Sequence, residues 1–157
     1  MRYLISSALA LIVSAAATAQ QLPVEVFTLD NGMEFLLVPR NDQPNTISAG
    51  WVAKVGSANE RPGITGISHF FEHMMFRGTP KYPQAAYEGI VTTIGANTNA
   101  YTTDDHTAYH LKIAAEDLPK VIEIEADRFQ NLAFSKIVFQ TEAGAVYGEY
   151  RKSISSP

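Results

Sequence analysis

The chain has no cysteine. A disulfide scaffold is therefore excluded, and any metal site has to be built from histidine and carboxylate. It has no basic surplus either: 12 Lys and Arg stand against 16 Asp and Glu, a formal net charge of −4. That balance offers nothing to a phosphate backbone and argues against nucleic acid as a partner. There is no internal repeat, no low-complexity tract and, after the first segment, no apolar run long enough to span a bilayer. At 157 residues the chain is the size of one domain, not of a multidomain machine. What it does have is 46% hydrophobic and 18% charged residues, a globular composition that argues against disorder.

The first segment reads as an address. Met1-Arg2-Tyr3 gives a basic start, an apolar run follows from Leu4 to Val13, and Ala17-Thr18-Ala19 supplies a small-x-small end. These are the parts of a secretory signal peptide, cut after Ala19. The alternative is an amino-terminal membrane anchor, but the apolar run is shorter than the ~20 residues that a spanning helix needs. Residues 20–157 are expected as an exported, soluble chain with no stable membrane insertion.

Along that chain, residues 24–29 and 33–38 alternate around Asp30-Asn31-Gly32, a hairpin signal. Residues 46–55 read as a third strand, and 56–66 as a loop. Ile67, Phe70, Phe71, Met74 and Met75 give a helical apolar face over 67–76, stopped by Gly78 and Pro80. A second helix fits 84–94, ended by Gly95. Residues 97–102 and 106–114 read as two strands. Glu116, Asp117 and Pro119 open another helix, with Leu118, Val121, Ile122, Phe129 and Leu132 as its core face. A last helix starts between 135 and 141 and runs to about 152. The order β-β-β-α-α-β-β-α-α predicts an α+β fold, an antiparallel or mixed sheet with helices packed on one face.

His69 and His73 lie four apart in a predicted helix, which stacks their imidazoles on one face, where two neutral rings can grip one zinc ion. Glu72 sits at the edge of that face, where a carboxylate can take a proton from water without binding the metal. This is the H-x-x-E-H order, the reverse of the commoner H-E-x-x-H. The competing reading is two hydrogen-bonded helix histidines beside an incidental glutamate. A zinc site also wants a third protein ligand. Glu142 and Glu149, seven apart, share a face of the last helix, with Val138, Ala145 and Val146 to seat it. Spacing alone favours a solvated face for both glutamates. His106 and His110 are too far apart along a strand, about 13 Å, to chelate one ion closely, and read as surface or supporting residues.

Three stretches, in order, resemble the amino-terminal half of the pitrilysin/insulinase family of zinc peptidases. Gly66-Ile67-Ser68-His69-Phe70-Phe71-Glu72-His73-Met74-Met75-Phe76-Arg77-Gly78-Thr79 is similar to the family's zinc helix. Gly95-Ala96-Asn97-Thr98-Asn99-Ala100-Tyr101-Thr102, with His106-Thr107-Ala108-Tyr109 after it, is similar to its substrate-binding edge strand and the next strand. Glu142-Ala143-Gly144-Ala145-Val146-Tyr147-Gly148-Glu149 resembles the helix with the third ligand. The resemblance implies one zinc ion per chain held by His69, His73 and Glu149. It makes Glu72 the catalytic base, gives Glu142 a supporting catalytic role, and lets Asn99, Ala100 and Tyr101 pair with the substrate.

The implied activity is that of an exported zinc endopeptidase, in a periplasm, acting on peptides or unfolded polypeptides that add as a strand along the 99–102 edge. Members of the family close two homologous halves or subunits around the peptide. The resemblance therefore implies that 20–157 is an amino-terminal domain truncated at its carboxyl end, with a second half or subunit as partner. A non-catalytic, peptide- or partner-binding subunit of the same family is the alternative; such subunits typically lose ligand or base residues, and none is lost here.

Overall fold

The computed structural model describes residues 22–155. The expected signal peptide lies outside the described residues. Two compact units divide at residue 41.

In the first, β1 (Glu25–Thr28) pairs antiparallel with β2 (Glu34–Leu37), in the register Glu25↔Leu37 to Thr28↔Glu34. Five residues, 29–33, separate the strands, and Gly32 takes φ 85°, a conformation that glycine adopts without the Cβ penalty. Asn31 Oδ1 accepts from the Met33 N–H at 3.0 Å and closes the turn.

In the second unit, β3 (Thr46–Ala53), β4 (Asn97–Thr102) and β5 (Thr107–Ala114) form an antiparallel sheet in the order β3-β5-β4. No pairing in it is parallel, so the sheet is antiparallel rather than mixed. β5 is central, and its alternation sets the layers. Tyr109, Leu111 and Ile113 are buried, while His110 and Lys112 point to the exposed face. β5 begins at Thr107, one residue later than expected. His106 instead closes the turn from β4, its carbonyl accepting from the Thr103 N–H at 2.8 Å.

The helices are α1 (Ile67–Met74), α2 (Gln84–Thr93), α3 (Leu118–Asn131) and α4 (Lys136–Ser155). Leu111 and Ile113 pack on Val121, with Ile47, Ala49, Ile94 and Leu118 around them. Full burial of each such side chain contributes roughly 1.5–3 kcal/mol. No helix among the described residues is long and apolar enough to cross a membrane.

Three expected core faces are corrected. α1 ends at Met74, two residues early, in tight turns to the His73 and Met74 carbonyls. It buries Ser68, Glu72 and Met74, whereas Ile67 and Phe71 are exposed. α3 buries Val121, Ile124, Glu125 and Arg128; Ile122 and Phe129 are exposed. The centre of that face is an ion pair: Arg128 donates to Glu125, and the Tyr87 hydroxyl donates to Glu125 at 2.9 Å. The guanidinium lies over the rings of Phe76, Tyr87, Tyr109 and Phe129 at 4.9–5.6 Å. A pattern of apolar residues cannot find a face whose middle is charged. On α4, Val138 and Val146 are half-buried, but Ala145 is exposed. The one buried residue there is Glu142, which overturns the solvated face expected from spacing for that residue, whereas Glu149 is exposed.

Candidate functional site

α1 starts where the chain leaves Gly66 at φ 88°. Its first free N–H groups have no cap from Gly66. Glu60 supplies one from the preceding loop, accepting from Gly66 N–H at 2.6 Å and Ser68 N–H at 2.8 Å. Those two backbone donors hold the Glu60 carboxyl below its usual range. One turn apart on this helix stand His69 and His73, ring centroids 4.8 Å apart and nearly perpendicular.

α4 brings Glu149 to them. Its Oε2 lies 3.4 Å from His69 Nε2 and 3.7 Å from His73 Nε2. One ligand atom from each of the three residues lies within 4.8 Å of the others. Donors around a four-coordinate zinc ion, at 2.0–2.2 Å, stand about 3.3–3.5 Å from one another. Two imidazole nitrogens and one carboxylate oxygen are also a catalytic zinc donor set. The donor set fits the ion in chemistry, and the two Glu149–histidine distances are close to that spacing.

Glu142 stands behind His73. Its Oε2 is 3.3 Å from His73 Nδ1 and forms an ion pair with Arg77 Nη2 at 2.9 Å. A carboxylate at Nδ1 selects the tautomer protonated there and leaves Nε2 free as a ligand. Glu142 thus touches a histidine from behind and does not face the cleft.

Glu72 is buried, on the side of α1 toward β4. Thr102, the last residue of β4, donates its hydroxyl to Glu72 Oε2 at 2.6 Å. The resulting cleft, of about 680 Å³, is lined by His69, Glu72, His73 and Glu149 on one side and by residues 99–104 on the other. Of the expected substrate residues, Asn99 and Tyr101 are exposed, while Ala100 is half-buried. Asn99 Oδ1 accepts from the Ala100 N–H at 2.9 Å.

The other two histidines stand apart from this group. His106 Nδ1 is 2.6 Å from Asp105 Oδ1, and the Tyr101 ring lies against both His106 and His110. The side-chain contacts of Thr102, Arg77 and Glu60 escaped the sequence reading. Their contacts span 30, 65 and as few as six residues, and none falls on a helical or strand period.

The family described as Insulinase (Peptidase family M16) matches residues 36–157, and the chain belongs to that family. Rat cytochrome b-c1 complex subunit 1, mitochondrial, is 36% identical over 87% of this chain and 28% of its own length. A solved protease from Helicobacter pylori superposes with a TM-score of 0.79 at 32% identity, covering 83% of this chain and 31% of that one. The first half of the periplasmic protease PqqL from Escherichia coli superposes with a TM-score of 0.75 at 26% identity, covering 82% and 29%. The chain therefore spans about three-tenths of the length of these relatives.

Proposed function

We propose that this chain is the amino-terminal catalytic part of an exported zinc endopeptidase. The observation that carries the reading is the convergence of His69, His73 and Glu149 in one cleft with Glu72 and the edge strand β4. The periplasmic protease among the similar structures supports export, as does the expected signal peptide at residues 1–19.

His69, His73 and Glu149 would hold the ion, with Glu142 fixing the tautomer of His73. When bound, zinc supplies Lewis-acid activation of water and of a peptide carbonyl. Glu72 is the general base: it accepts the water proton and returns it to the leaving amine. Thr102 occupies one Glu72 oxygen, so the other is the one offered to the proton. A peptide adds as a strand to β4 through residues 99–101, displacing the Asn99 amide from the Ala100 N–H. Main-chain pairing of this kind reads extended polypeptide largely regardless of sequence. A second homologous half or subunit closes the cleft and completes the positioning that supplies much of the rate.

The first test is metal content of residues 20–157 by elemental mass spectrometry, beside His73→Ala. About one zinc per chain, lost in the variant, is the expected result; no metal in either protein sinks the zinc reading. In the full-length protein, Glu72→Gln keeps the metal and abolishes peptide hydrolysis, and unchanged turnover would remove Glu72 from the base role. Glu149→Ala loses zinc; equal retention would mean that the third ligand is another residue.

A second reading, a partner-binding subunit without chemistry, is favoured by the likeness to a cytochrome b-c1 complex subunit. It predicts no hydrolysis by the full-length protein even with zinc bound.

A further inference from the structure

We infer that Arg77 is a positioning residue for the metal site, acting through Glu142; the inference rests on the zinc reading above. The α4 helix is 20 residues long, yet among its described side chains only Glu142 is buried. Ile137, Tyr147, Tyr150 and Ile154 are exposed. Apolar packing therefore does little to fix this helix, beyond the half-buried Val138 and Val146 and the contact of Phe139 with Phe70. Yet α4 has to deliver Glu149 to His69 and His73 with sub-ångström accuracy if the three are to share one ion.

The polar latch does this. Arg77, just past the end of α1, reaches back to Glu142 Oε2 at 2.9 Å, the same oxygen that faces His73 Nδ1. Its other terminal nitrogen donates to Gln84 Oε1 at 3.2 Å, which anchors the guanidinium on α2. Gly78 follows at φ 91°, and a Cβ there would stand 2.5 Å from the Gln84 backbone nitrogen, so the turn that aims Arg77 requires glycine. One arginine thus does two things for the donor set. It keeps a charge partner beside a buried carboxylate, so that Glu142 stays seated against Nδ1 of His73. It also pins α4 two helical turns before Glu149, a rise of about 10 Å along the same face.

The test is zinc affinity of the purified chain by chelator competition, with helicity followed by circular dichroism. Arg77→Met should weaken zinc binding about 10–100-fold, the size of effect expected for an outer partner of a metal ligand. Arg77→Lys, which keeps the charge, should recover most of that loss. The pair Arg77→Met with Glu142→Gln should bind zinc no more weakly than the worse single variant, because both act through one contact. Unchanged affinity in a folded Arg77→Met chain overturns the proposal. If Arg77→Met fails to fold, the isosteric Glu142→Gln decides: full zinc affinity there overturns it equally. A wild-type chain that takes up no zinc would instead refute the metal site itself, and the role of Arg77 with it.

Discussion

The Thr102 hydroxyl, on the edge strand, lies 2.6 Å from Glu72 Oε2, on the helix that bears the histidines. The strand proposed to take the substrate is thereby tied to the group proposed as base. Thr107, paired with Thr102 across the sheet, steadies it from below: its own hydroxyl donates to the Val55 carbonyl at 3.0 Å. Thr102→Val should lower kcat of the full-length protein by about 10–100-fold, since small misplacements of a catalytic group cost that much. Metal content should not change, and Thr102→Ser should restore the rate. Equal kcat in Thr102→Val and wild type would detach this hydroxyl from catalysis.

Glu60 acts on the start of the same helix. Its carboxyl is held low first by the Ser68 N–H and then by the Gly66 N–H. A depressed acid stabilises the fold above its ordinary pKa, about 4.3, and that contribution is lost as pH falls through the lowered value. Glu60→Ala should therefore destabilise the chain at neutral pH by about 1 kcal/mol, as loss of a cap does. The difference should shrink below about pH 4. Urea midpoints of the two proteins at pH 7 and pH 3.5 measure it; a gap that does not narrow on acidification contradicts the capping role.

The Glu125–Arg128 pair makes a different prediction. Arg128 is 3% exposed and Glu125 1%, so truncating one strands a charge in the core. Arg128→Ala should cost roughly 3–5 kcal/mol, whereas replacing both residues with apolar ones of similar volume should cost far less. Denaturant unfolding of the single and double variants reports this directly. Should the double replacement prove as damaging as the single one, shape or the four surrounding rings matter more than the charge.

Alkaline pH probes the same core. Burial, above all, pushes the phenols of Tyr87 and Tyr109 up to about 12. Their unfolded value is about 10, so their contribution is fully present below pH 10 and lost as pH rises through 12. Stability should fall steeply from pH 10 upward, and less so in Tyr109→Phe, which removes one of the two ionisations. Parallel stability–pH curves for that variant and wild type would exclude Tyr109 from the effect.

The order of elements was legible along the chain, because hydrophobic period and turn residues are local. Asn31-Gly32 marked the first hairpin, residues 106–114 read as the strand that became β5, and Gly95 closed α2. Four-residue spacing put His69 and His73 on one face, since a helix returns to the same side every 3.6 residues. Which partners those residues meet depends on the packing of distant segments. Glu142 and Glu149 share a periodicity, yet one is buried behind His73 and the other comes within 3.4 Å of His69. The core face of α3 turned out to be built around a charged pair, and Thr102, Arg77 and Glu60 found their roles in contacts across the fold. Periodicity says which way a side chain faces along its own element. What stands opposite, and whether it carries the complementary charge, is set by how helices and sheet pack, which no local pattern encodes.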